Sequence, residues 1–384
     1  MKRCIIAVFA AVLLLTLTVP DLASAEAPEV SAKAAVLICA DTGEVLYSLR
    51  SGEKLPMAST TKIMTVLLTL ESAERLGDLR QEFTVDSDAI HVEGSSMGLL
   101  EGDTVTKYAL CCGMLLPSGN DAANAAAVRI AGSIEGFAEL MNRRGEELGL
   151  TGTHFVTPSG LEGDGHCSTA YDMAMLARTA LRNETFREIC SSTSMQLEYG
   201  APPYQRWLKN TNRLLSMYDG VYGVKTGFTD EAGRCLVSAC KRDGKDLICV
   251  TLNAPDDWND HIALYDYGFS RAAAVDVTLP ERAEIPLVGG NSDTIEAAPL
   301  EKSLKLTTIS ASTEDLTFKV MSPPFVYAPV RQGDILGELS VILRGSEVCR
   351  VPLYAAADAG RYVKTQKEES LYKRIRKVLR DIFF

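Results

Sequence analysis

The sequence predicts an α+β protein: an antiparallel sheet covered by helices, followed by a small all-β region and a C-terminal amphipathic helix. Strand-like runs stand near both ends of the stretch before about Val275, with helix-period segments between them. Beyond Val275 the helical signals vanish, and short apolar runs alternate with Gly, Pro and Ser turns. The last residues return to a helical period, apolar on one face and basic on the other. A chain of 384 residues accommodates more than one domain, and 46% hydrophobic content supports a real core.

Lys2 and Arg3 precede an apolar run from Ile5 to Val19, and Ala23-Ser24-Ala25 is a small-x-small cleavage pattern. Residues 1–25 therefore read as a secretory signal, with Glu26 the first mature residue. The run is short for a spanning anchor, and no other segment is long and apolar enough to cross a bilayer. The mature protein is expected outside the cytoplasmic membrane.

Ala34 to Ile38 and Val45 to Tyr47 flank Asp41-Thr42-Gly43 and predict a β-hairpin. Helical periodicity runs from Ser59 to about Leu76, and again from Thr104 to Leu116, where Pro117 stops it. Asp121 is expected to cap a helix over Ala122 to Ile130, with Gly132 just past its end. Further helices are predicted over Phe137 to Leu148 and Ala170 to Leu181. Val221 to Thr226, Cys235 to Cys240 and Leu247 to Leu252 read as successive strands, the last two joined by Asp243-Gly244. Together 26–275 form the expected catalytic domain. In 276–360, strands are predicted at Leu304 to Ile309, Leu316 to Val320, Ile335 to Leu343 and Glu347 to Leu353. That region holds no nucleophile-base pair and reads as a spacer or brace. In 361–384, Leu371, Ile375, Val378, Leu379, Ile382 and Phe383 share one face, with Lys373, Arg374, Arg376, Lys377 and Arg380 on the other. The segment Leu371 to Phe384 suits the interface of an anionic membrane better than the protein's own core.

Composition narrows the function. With 39 basic against 50 acidic residues the net charge is -11, and no basic stripe offers a nucleic-acid partner. Of 10 cysteines, Cys4 lies in the leader, and the others sit mostly inside apolar runs as small buried hydrophobes. No cysteine pair has zinc spacing, so neither a metal nor a cofactor is expected. Only His91, His154, His166 and His261 occur, and none forms a Ser-His-Asp motif.

Three short strings carry the chemistry: Ser59-Thr60-Thr61-Lys62, Ser118-Gly119-Asn120 and Lys225-Thr226-Gly227. A serine hydroxyl needs a neighbouring base to become a nucleophile. If Ser59 opens a helix, Lys62 stands one turn later on the same face. Ile63, Met64, Val66, Leu67, Leu68 and Leu70 make that helix apolar nearly all round, which places it at a domain centre. Burial and the nearby cation Lys225 both disfavour the Lys62 ammonium, leaving an amine able to accept a proton. Ser118 can relay a proton to the leaving amine, and Asn120 can hold Lys62 or the substrate backbone. Lys225 and Thr226 can bind a free carboxylate, while Gly227 permits close approach. The backbone N–H groups of Ser59 and Phe228 can form an oxyanion hole. A second S-x-x-K, Ser238 to Lys241, lies in a predicted strand, where an offset of three puts the side chains on opposite faces.

At these residues the chain resembles the serine-type D-alanyl-D-alanine carboxypeptidases, the low-molecular-mass penicillin-binding proteins. Pro56 to Thr65, Leu115 to Ala123 and Gly223 to Thr229 are similar to the family's three motif segments. His166 to Ala174 and Asn210 to Leu215 are similar to segments lining its cleft. The likeness runs from about Ala34 to Phe269 and more loosely into Ala328 to Gly333. It implies a β-lactamase/transpeptidase-like fold, Ser59 as acyl-enzyme nucleophile, Lys62 as proton acceptor, Ser118 as second hydroxyl and Lys225 as carboxylate binder. The implied substrate is a peptidoglycan stem peptide ending in D-Ala-D-Ala, and β-lactam antibiotics are implied acylating ligands. Thr211 stands where some relatives carry Arg. A class A β-lactamase would need a Glu with an Asn four residues on, and no such pair lies between Asn120 and Lys225. The motifs do not distinguish endopeptidase or transpeptidase action, whereas intact Ser59, Lys62, Ser118 and Lys225 argue against a non-catalytic wall-binding or penicillin-sensing module.

Overall fold

The computed structural model describes residues 26–309, 315–362 and 375–380; the expected leader and most of the expected tail helix fall outside them. Strands β1 (Ala34–Cys39) and β2 (Val45–Leu49) form the predicted hairpin. A 3-10 turn, Ala58–Thr61, runs into helix α1 (Lys62–Leu76). There follow β3 (Glu82–Thr84), α2 (Ser87–Ile90), β4 (Thr104–Thr106), α3 (Lys107–Leu115), α4 (Asn120–Ala131), α5 (Ile134–Glu147), α6 (Ala170–Ala180) and α7 (Glu184–Ser191). The hairpin β5 (Ser194–Gly200) and β6 (Pro203–Lys209) and the short α8 (Leu214–Met217) lead to β7 (Val221–Thr229), β8 (Gly233–Arg242), β9 (Lys245–Leu252) and α9 (Asp257–Arg271).

The central sheet has the order β2-β1-β9-β8-β7, antiparallel throughout. Both faces of β1 are covered, so its alternate residues enter two cores. Ala34, Val36 and Ile38 join the helices α1 and α3 to α7, whereas Ala35, Leu37 and Cys39 meet α9. In α1 the residues Ile63, Met64, Val66, Leu67 and Leu70 are all buried, as an all-round apolar helix requires. The sheet ends on β7, whose outer edge carries the third motif.

Several local expectations change. Thr104–Thr106 is a strand paired with β3, not the start of a helix, and the Thr106 hydroxyl caps α3 by accepting from the Ala109 N–H at 3.1 Å. Gly119, not Asp121, is the N-cap of α4. A carboxylate is favourable anywhere in a first turn, so spacing alone does not distinguish the two positions. Helix α9 was not anticipated, because its buried stripe of His261, Leu264, Tyr265, Gly268 and Phe269 contains a histidine and a glycine. The β5–β6 hairpin was also missed, although Met195, Leu197 and Tyr199 alternate inward.

The C-terminal region contains β10 (Ala273–Thr278), β11 (Ala283–Val288), β12 (Thr294–Ala298), β13 (Ser303–Thr308), β14 (Leu316–Met321), β15 (Val326–Tyr327), β16 (Ile335–Leu343) and β17 (Ser346–Ala355). The larger sheet has the order β14-β16-β17-β12-β11-β15, and β10 pairs with β13. Its own core includes Ile285, Ala297, Leu339, Val341 and Leu353. Polar contacts join it to the β1–β2 turn: Asp41 accepts from the Thr307 N–H at 2.6 Å, and Glu44 accepts from Thr308 Oγ1 at 2.6 Å and Arg344 Nη1 at 2.9 Å. Residues 375–380 are helical, with Ile375, Val378 and Leu379 exposed.

Candidate active site

The 3-10 turn at Ala58–Thr61 places Ser59 against the end of β7. Gly227 packs directly on it: a Cβ there would meet the Met57 carbonyl oxygen at 3.0 Å and the Thr60 nitrogen at 3.1 Å. Gly227 is thus constrained by the nucleophile turn itself, a closer reason than approach of a substrate backbone. Ala58 and Ser118 both have left-handed φ, 48° and 67°, a conformation that non-glycine residues adopt at local cost.

Lys62 begins α1 and is fully buried. Its Nζ lies 2.8 Å from Ser59 Oγ, 2.7 Å from Asn120 Oδ1 and 2.5 Å from the Ser159 carbonyl oxygen. Burial, and next the charge on Lys225, hold its pKa well below the ordinary lysine value, with Asp121 opposing. Asn120 is fixed at its other end, where Nδ2 donates to the Glu93 carbonyl at 2.7 Å. Of the two tasks expected for this amide, the structure places it on Lys62.

Ser59, Ser118, Thr226, Gly227 and Phe228 line one cavity of about 370 Å³. Lys62, Asn120 and Lys225 lie behind it, buried. Lys225 donates to the Thr226 carbonyl at 2.8 Å, and burial lowers its pKa to about 7. Thr226 Oγ1 is 2.7 Å from Thr211 Oγ1, which brings the Asn210 segment into the site without a charge. A second cavity of about 570 Å³ opens on the other side of the nucleophile turn, between Ala58, Gly160, Thr229 and His166.

Two groups were missed by sequence reasoning. The Ser159 carbonyl is a backbone acceptor and carries no side-chain signal. Its loop is pinned by Thr65 Oγ1, donating to the Pro158 carbonyl at 2.6 Å, and by His166. His166 Nδ1 accepts from the Val156 N–H at 2.9 Å, so Nε2 carries the proton and donates to Thr61 Oγ1 at 2.8 Å. Burial is the main cause lowering its pKa to about 4. His166 is a neutral strut, not a base. Asp121 is the other missed group: its buried carboxylate accepts from Ser96 Oγ and the N–H groups of Met97, Gly98 and Leu99, at 2.6 to 3.1 Å. Those bonds hold the loop beside Ser95, another residue lining the cavity.

The family profile described as D-alanyl-D-alanine carboxypeptidase matches residues 21–256. Among characterised relatives, the D-alanyl-D-alanine carboxypeptidase DacF of Bacillus subtilis is 34% identical over 370 residues, covering 93% of this chain and 95% of its own. DacC of Escherichia coli, of the same description, is 33% identical over 354 residues, covering 85% and 84%. Among solved structures, the D-alanyl-D-alanine carboxypeptidase DacD of Francisella tularensis superposes with a TM-score of 0.62 at 25% identity, covering 88% of this chain and 95% of that one. A Streptomyces DD-transpeptidase superposes with a TM-score of 0.60 at 32% identity, covering 63% and 98%.

Proposed function

The chain belongs to the D-alanyl-D-alanine carboxypeptidase family, and from that premise we propose how its own residues carry the reaction and where it takes place. The protein is a serine hydrolase that acts on D-Ala-D-Ala termini. One observation carries the residue assignment. Lys62 Nζ has three close partners, two of which are carbonyl oxygens that only accept, while the third is a hydroxyl. A neutral amine has two N–H donors and one lone pair. With the amine neutral, as burial and the Lys225 charge favour, two donations to Asn120 and Ser159 leave the lone pair facing Ser59, whose O–H then donates to Nζ.

In this reading Ser59 Oγ attacks the carbonyl of the penultimate D-Ala while its proton passes to Lys62 Nζ. The oxyanion is received by the backbone N–H groups of Ser59 and Phe228. The amine of the departing D-Ala takes a proton by way of Ser118, and water then hydrolyses the acyl-enzyme. Thr226, with Lys225 behind it, binds the terminal carboxylate. Asn120 acts through Lys62 and is a positioning residue.

We place the enzyme outside the cytoplasmic membrane, held at its anionic surface by the segment Leu371 to Phe384. The basic and apolar faces of that segment support the reading, and so does the exposure of Ile375, Val378 and Leu379 in its described part. No helix among the described residues is long and apolar enough to cross a membrane. The region 276–360 serves as a brace between catalytic domain and surface. A reading as a transpeptidase is favoured by no particular side chain.

Release of D-Ala from a synthetic stem pentapeptide tests the activity. Intact mass after benzylpenicillin treatment tests the nucleophile: one adduct on the wild type and none on Ser59→Ala is the expected result. An adduct that survives Ser59→Ala overturns the assignment.

A further inference from the structure

The cavity that holds Ser59 and Thr226 also carries a guanidinium that none of the three motifs contains. Arg234 lies near the start of β8, and the register sets Phe228 opposite Arg234 and Thr226 opposite Leu236. Directly paired residues share a sheet face, so Arg234 stands with its Cβ about 5 Å from that of Phe228 and is a diagonal neighbour of Thr226 at about 7–8 Å or slightly less, within reach of a long side chain. Its orientation is built. Nε and Nη2 donate to Asp257 Oδ1 at 3.0 and 2.7 Å, and Cζ lies 5.3 Å from the Trp258 ring centroid. Asp257 is buried at the start of α9, while the Arg234 side chain is 40% exposed, and Nη1 makes no hydrogen bond among the described residues. Asp257 and Trp258 line the same cavity.

Other candidates for the task are weaker. Arg213 also lines the cavity, but its side chain has no partner among the described residues to fix it. Thr211 spends its hydroxyl on Thr226 and has no charge. A fork held in place loses little rotamer freedom on binding, and its planar donors match a carboxylate.

We propose that Arg234, clamped by Asp257 and Trp258, receives the substrate's terminal carboxylate together with Thr226, and so sets the preference for a free C-terminal acid. The assignment rests on the proposed reading of this cavity as the D-Ala-D-Ala site. It deepens that reading by moving the guanidinium from the Asn210 segment to the β8–α9 corner.

The test compares two synthetic stem peptides, one ending in D-Ala-D-Ala as the free acid and one as its C-terminal amide. Cleavage of the last peptide bond is followed for wild type, Arg234→Gln, Arg234→Lys and Arg213→Gln. In the wild type kcat/KM favours the acid. Arg234→Gln is expected to lower kcat/KM on the acid about 10- to 100-fold and leave the amide within about twofold, collapsing the preference. Arg234→Lys, which keeps the charge but not the fork, falls between, and it stands in should the Gln variant not fold. Arg213→Gln keeps the preference. Equal losses on both peptides, or a preference that survives Arg234→Gln, overturn the proposal and leave the carboxypeptidase reading standing. No cleavage of either peptide by wild type removes that reading and this one with it.

Discussion

Gly160→Ala tests how tightly the nucleophile is held. Gly160 has φ +81°, where an L side chain is strained by about 1–2 kcal/mol. Its ideal Cβ would lie 2.0 Å from the Ala58 carbonyl oxygen, against a practical floor of 3.0 Å. The difference, 3.0 less 2.0, means about 1 Å of displacement, and what moves is backbone on both sides. Ala58 immediately precedes Ser59, and Ser159, whose carbonyl engages Lys62, immediately precedes Gly160. The shift therefore separates hydroxyl and amine at the point of proton transfer. A misplacement of this size reduces rate about 10²-fold. The assays are the second-order rate of Ser59 acylation by benzylpenicillin, read by intact mass, and thermal unfolding of the same preparation. The variant is expected to acylate about 100 times more slowly, with a Tm lower by several degrees. Wild-type acylation and an unchanged Tm would refute the claim that this glycine exists to let the two backbones meet.

The pH dependence of kcat/KM should be bell-shaped. Activity rises as Lys62 loses its proton, far below the usual lysine range, and falls as Lys225 loses its charge near pH 7 in the free enzyme. An alkaline limb that does not move in Lys225→Arg would assign that limb elsewhere. Stability should weaken in mild acid. His166 and His261 are held neutral, with pKa values lowered to about 4 and about 3, mainly by burial. Their contribution is complete above the unfolded value near 6.5 and is lost as pH falls toward the folded values, on the order of 3 kcal/mol for His166. Chemical denaturation from pH 7 to pH 4 reads this, and His166→Asn should flatten part of the slope; an unaltered slope removes His166 as its source. Asp121→Ala leaves the N–H groups of Met97 and Leu99 without their acceptor, while the Gly98 N–H keeps Ser96 Oγ at 2.7 Å, and should destabilise by ~3 kcal/mol, seen as a lower urea midpoint. A midpoint equal to wild type would show that water replaces the carboxylate without loss.

Features that depend on neighbours close along the chain were legible from the residues alone. Ser59 and Lys62 are three residues apart, so a single turn sets them on one face within reach of each other, and they stand 2.8 Å apart. The hairpins at Asp41-Thr42-Gly43 and Asp243-Gly244, and the K-T-G strand, were legible for the same reason: turn chemistry and a two-residue period act locally. Tertiary structure alone decided which partners complete the site. Asn120 and Ser159 reach Lys62 across 58 and 97 residues of chain, and His166 reaches Thr61 across 105. One of those partners is a backbone carbonyl, which every residue possesses and no spacing reveals. Arg234 and Asp257 likewise meet only because β8 and α9 pack side by side. A hydrogen bond between distant segments depends on where whole elements settle, and their hydrophobic faces, not the bonded residues, govern that position.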